Sequence, residues 1–130
     1  MSTELSCLAW SVILGLIHIL AAANAKTFEL GAKWNMGARD GDPAKLSPLT
    51  GRLLRAQSNF FETFPLFAAS ILMVVLADSP SVYSYWGALL YLAARVIYLP
   101  LYALGIPVIR SIIWLVSLIG ILMVLLPLIF

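Results

Sequence analysis

Apolar positions in this chain fall into four long blocks separated by short polar stretches. Leu5 to Ala25 holds no charged residue between Glu4 and Lys26, and a second block begins near Gly51 and stops before Asp78. A third runs from about Val82 to Leu104 and a fourth from about Ile109 to Phe130. A helix needs about 20 mostly apolar residues to cross the hydrocarbon core of a bilayer. The blocks therefore predict spans at about 5–25, 52–77, 82–104 and 109–130. Asp78-Ser79-Pro80 and Gly105-Ile106-Pro107 punctuate the last three and mark tight turns. The one long connection, 26–51, spreads Gly31, Gly37, Gly41, Pro43 and Pro48 along its length and is expected to be an ordered loop or a short interfacial helix.

Composition narrows the class. Of 130 residues, 62% are hydrophobic and 11% charged, which excludes an ordinary soluble domain. The expected fold is all-α: an integral membrane four-helix bundle forming one domain, 1–130. A net charge of +2 gives no footprint for nucleic acid. Its distribution says more, because Lys26, Lys33, Arg39, Lys45, Arg52 and Arg55 surround the long connection and Arg110 stands at the 105–107 turn. Cytoplasmic loops carry the excess of Lys and Arg, so both termini are expected on the non-cytoplasmic side. Ala23-Asn24-Ala25 resembles a signal-peptide cleavage site, but the start of the chain has Glu4 and no basic residue, and the apolar run exceeds a signal core. It is read as a span. One cysteine, Cys7, allows no internal disulfide and no metal framework, and His18 is expected as a packed, hydrogen-bonded histidine within the first span.

Charges inside the spans need a physical reason, since each costs at least a few kcal/mol in hydrocarbon. At about 100° per residue, Arg52, Arg55, Asn59 and Glu62 fall at roughly 0, 300, 340 and 280°, a single polar stripe expected to face away from lipid. Tyr91, Arg95, Tyr98 and Tyr102 lie within roughly 60° on the third span, where phenols are expected around a lone guanidinium. Arg110 and Ser111 begin the fourth. Arg95 and Glu62 lie roughly 12 and 15 Å from the nearer helix end, too deep to snorkel easily. Four arginines against Glu62 leave three positive charges uncompensated, which points to an anionic ligand. Carboxylates suit the guanidinium forks, an amine suits Glu62, and amides suit Gln57 and Asn59. A zwitterionic peptide such as glutathione, with two carboxylates and one amine, meets these requirements.

Arg55-Ala56-Gln57-Ser58-Asn59-Phe60-Phe61-Glu62-Thr63-Phe64-Pro65-Leu66-Phe67 resembles the R-A-x-x-N-x-x-E-x-x-P-[LF]-F signature of the MAPEG superfamily, the membrane-associated proteins in eicosanoid and glutathione metabolism. Arg95, Tyr98 and Tyr102 are spaced like the glutathione-contacting Arg and two Tyr of leukotriene C synthases, and Arg110 takes the place of the family's thiol-activating arginine. The resemblance implies a homotrimer with glutathione as co-substrate between subunits. It assigns binding to Arg55, Gln57, Asn59, Glu62, Arg95, Tyr98 and Tyr102, joined by Arg52 from the charge count. Catalysis falls to Arg110, with Ser111 assisting. Thr63, Ser58 and Trp114 depart from the leukotriene and prostaglandin branches, so the eicosanoid reactions are not carried over. Small size without a targeting segment resembles a bacterial branch and implies the bacterial inner membrane.

The expected function is therefore a glutathione-dependent membrane transferase or peroxidase for detoxification, whose thiolate attacks hydrophobic electrophiles arriving from the membrane lipids. Ser117 and Gly120 are expected either to shape that entrance or to pack helices. The alternative is a non-catalytic membrane protein that binds an anionic lipid or peptide. A small four-helix exporter of cationic drugs fits the length, but the first span lacks an acid and Glu62 is outnumbered by arginines. No metal is expected.

Overall fold

The computed structural model describes residues 1–38 and 46–130, so Arg39, Asp40, Gly41, Pro43 and Lys45 of the long connection lie outside the described residues. Its elements are α1 (Thr3–Leu30), α2 (Ala32–Met36), α3 (Pro48–Leu76), α4 (Val82–Ala103) and α5 (Pro107–Ile129). All but α2 are long and apolar enough to cross a membrane. The protein is thus all-α and an integral, multi-pass membrane protein.

The helix starts follow from local chemistry. Ser2 and Ser47 cap α1 and α3 by accepting from Leu5 N and Thr50 N, both at 3.3 Å, which satisfies orphan donors of the first turn. Ser81 opens α4 with a reciprocal box: its side chain accepts from Ser84 N while Ser84 Oγ accepts from Ser81 N at 2.8 Å. Pro48 and Pro107 sit at the first positions of α3 and α5, where no N–H is needed. After α4, Gly105 turns left-handed at φ +74°. Its N–H bonds Tyr102 O and the Ile106 N–H bonds Leu101 O, closing the turn that leads into α5.

Two boundaries differ from the hydropathy reading by a helical turn or more. α1 continues to Leu30 and α3 begins at Pro48, because backbone hydrogen bonding carries a helix past the apolar core into polar residues. The two ends are tied directly: Glu29 accepts from Ser47 N at 2.9 Å and from Thr50 Oγ1 at 2.6 Å. Within the connection, the expected short helix is α2.

The core draws on all four spanning helices: Cys7, Phe67, Ile71, Val74, Ala88, Tyr91, Ile121 and Val124. α4 and α5 approach through glycine. A Cβ on Gly87 would lie 2.6 Å from Gly120 O, and one on Gly120 would lie 2.8 Å from Gly87 O, so no larger residue fits this crossing. Gly120 and the fully buried Ser117, whose hydroxyl donates to Trp114 O at 2.6 Å, therefore pack helices and do not border an entrance. Outside, α1 and α5 present Leu16, Ile17, Leu20, Ile112, Leu115, Ile119 and Leu122 to the surroundings, a surface suited to lipid. Near the N-terminus the inside is polar, where Ser84 donates to the buried Glu4 carboxylate at 2.8 Å.

Candidate functional site

α4 supplies the spine of the site. Its Arg95, Tyr98 and Tyr102 share a face because helical neighbours recur at three and four residues, and that face turns towards α3 and α5. Arg95 is completely buried. Its guanidinium carbon lies 4.3 Å from the centre of the Tyr98 ring and 5.4 Å from that of Phe60. Nη1 donates to Asn59 Oδ1 of α3 at 2.9 Å, while Nε and Nη2 have no partner among the described residues. No carboxylate forms an ion pair with this cation among the described residues; its direct contacts are aromatic faces and one amide, and Glu62 acts on it at longer range.

From Arg95 the polar groups run outward as a ladder. The Tyr98 and Tyr102 rings are 5.6 Å apart, and the Arg110 guanidinium carbon lies 4.5 Å from the centre of the Tyr102 ring. Arg110 makes no hydrogen bond or ion pair with a described residue. It stands in the first turn of α5, whose N-cap residue Ile106 offers no side-chain bond. The helix start therefore adds partial positive charge to that of the guanidinium. Asn59, Tyr98, Tyr102, Arg110, Ser111 and Trp114 surround an open cavity of about 300 Å³. Such a volume is at the small end of ligand pockets. Its wall combines one cation, two phenols without a hydrogen-bond partner among the described residues, a serine hydroxyl and an amide.

The other candidates lie elsewhere. Arg52 Nε donates to Ala103 O at 2.9 Å and its side chain rests on Gly105, capping the C-terminus of α4 where a cation suits the helix dipole. Arg55 and Glu62 are exposed on α3, held by no hydrogen bond or ion pair to a described residue, and Gln57 is half-buried away from the cavity. The polar arc of α3 spans about 80°, and α4 covers only the edge bearing Asn59 and Arg52. Within one chain the stripe is thus only partly turned inward.

Three further expectations are corrected by packing. Tyr91 is near enough to Arg95 to interact with its charge, but it gives its hydroxyl and ring to other partners: the hydroxyl pairs with Thr63 at 2.9 Å and the ring stacks on Phe67 at 4.0 Å. His18 is packed, stacking on Phe60 at 4.9 Å, but neither ring nitrogen finds a hydrogen-bond partner among the described residues. Trp114, read only as a departure from a tyrosine, lines the cavity. Its spacing of four from Arg110, one helical turn, was the available signal. A larger groove of about 420 Å³ between α3 and α5, lined by Leu66, Met73, Leu118 and Leu122 among others, is apolar and holds nothing able to activate a thiol.

A search of curated proteins finds no match to the chain. The model of the MAPEG family matches residues 7–130, which include every residue of the cavity wall. With four spanning helices and this match over nearly its whole length, the chain belongs to the MAPEG family.

Proposed function

We propose that this protein is a glutathione-dependent membrane transferase, with peroxidase activity as a related outcome, that converts bound glutathione to its thiolate for attack on hydrophobic electrophiles. The observation that carries this reading is Arg110 at the start of α5, unpaired among the described residues and facing a cavity with Asn59, Tyr98, Tyr102 and Ser111. A free thiol has a pKa of about 8.5, so little is ionised at neutral pH. A cation in a poorly solvated site favours the charged form and lowers that pKa. The thiolate sulfur then bonds to the electrophilic carbon while the leaving group takes the electron pair. In this reading Ser111 supports the sulfur by a hydrogen bond. Asn59, Tyr98 and Tyr102 hold the peptide, with Arg55, Gln57 and Glu62 contributing around it and Arg52 and Arg95 supporting the wall from behind.

A homotrimer accounts for Arg55 and Glu62. Both are exposed on a span, where lipid would be a costly neighbour, and a second subunit would complete the peptide site over them. A cytoplasmic position for the Arg110 end agrees with the Lys and Arg distribution, and membership of a bacterial branch with residence in the inner membrane is part of the same proposal. Detoxification is the role such chemistry serves.

The test is equilibrium glutathione binding to detergent-purified protein, followed by the ultraviolet thiolate band and by turnover of a hydrophobic electrophile. Saturable binding with a thiolate band at neutral pH and conjugate formation is the expected result. Binding without thiolate or turnover would favour a non-catalytic holder of an anionic peptide or lipid. No glutathione binding at all would sink the reading.

A further inference from the structure

Arg95 is a costly side chain to fold, a completely buried guanidinium inside a spanning helix. It does not border the cavity: its Nε and Nη2, without partners among the described residues, are covered, and other side chains form the lining. What it does touch is Asn59, which is part of that lining.

The contact has a direction. A guanidinium carries five N–H donors and no acceptor, whereas an asparagine amide carries an acceptor oxygen at one end and a two-donor nitrogen at the other. The Asn59 atom 2.9 Å from Arg95 Nη1 must therefore be Oδ1. Rotating the amide by half a turn would set two donors against a cation in a dry interior, which is strongly disfavoured. Nδ2 is left over. It has no partner among the described residues and, unlike Arg95 Nε and Nη2, it is not sealed in.

We propose that Arg95 is a positioning residue that locks the Asn59 amide with its N–H bonds towards the cavity, so that Asn59 can only donate to a carboxylate or carbonyl oxygen of the bound peptide. The proposal rests on the glutathione reading for the identity of that peptide. Tyr98 and Phe60 each present a π-face to the guanidinium, which helps to hold it in place. Glutamine at position 95 would not serve, since its own amide can accept or donate and so permits both orientations of Asn59. Lysine, which only donates, would preserve the orientation.

The test is a double-mutant cycle on detergent-purified protein read by glutathione affinity, with circular dichroism confirming that each variant is helical. Arg95→Gln should weaken binding about tenfold, and Arg95→Lys should restore most of it. In an Asn59→Ala background, Arg95→Gln should cost less than about twofold. An equal loss in both backgrounds would mean that Arg95 acts on the ligand or the fold directly, and would overturn the proposal. A second readout needs no glutathione: the Asn59 Cγ carbon resonance, assigned by its loss in Asn59→Ala. It should shift in Arg95→Gln, where the guanidinium no longer polarises the carbonyl, and stay in place in Arg95→Lys. An unmoved resonance in Arg95→Gln overturns the lock, whereas absent glutathione binding by the wild type overturns the functional reading and leaves the resonance to decide the lock.

Discussion

A guanidinium laid against a phenol ring is held in place while its N–H bonds remain available, and this is the condition of Arg110 above Tyr102. Replacing it by glutamine keeps the polar side chain and removes the charge. Glutathione affinity of Arg110→Gln is expected within about threefold of the wild type, while turnover at neutral pH falls about a hundredfold. Because the cation lowers the thiol pKa, the variant should regain thiolate as pH rises through about 8.5, the range of a free thiol. Spectroscopic titration of the thiolate band from pH 6 to 10, roughly bracketing that value, checks the sign. An identical titration curve in the two proteins would remove Arg110 from the chemistry. Helical phase was enough to put Arg95, Tyr98 and Tyr102 on one face. It could not reveal that Tyr91 turns to Thr63, since phase gives a direction and not the partner found there.

At the level of the helices, the most exacting contact is the crossing of α4 and α5. Gly87→Ala would push a methyl group to 2.6 Å from the Gly120 carbonyl oxygen, and backbone cannot move aside as a flexible side chain can. Overpacking of this kind costs about 1–3 kcal/mol, so the variant should melt at lower temperature in detergent. Gly120→Ser should behave no better, because the added Cβ meets Gly87 O and the Tyr91 backbone. Ser84→Ala removes the donor to a buried carboxylate and should independently cost about 1–3 kcal/mol. The four spans were legible because hydropathy reports the environment of a segment. The extra turns of α1 and α3 were not, since they depend on Ser47 as a cap and Glu29 as its partner, contacts between residues far apart in sequence. Arg52 illustrates the same limit: its charge marked it as a ligand group, but only the turn at Gly105 shows it capping α4.

For the whole molecule, the apolar outer surface and the exposed charges on α3 make different demands. Hydrocarbon suits the first and not the second, so copies of the chain are expected to cover Arg55 and Glu62. Chemical cross-linking in native membranes should yield a ladder ending at three copies, and Glu62→Arg should shorten it by setting like charges together. A ladder ending at one copy would contradict the assembly. The hydrogen bonds from Ser47 and Thr50 to Glu29 carry another consequence. They make the long connection a closed ring whose root does not depend on the chain being continuous between Gly37 and Leu46. A protease site inserted there should give, after cutting, a fragment of one span and a fragment of three that stay together through detergent purification. Glu29→Ala should loosen that union, making the protein divisible into parts that can be labelled separately and rejoined.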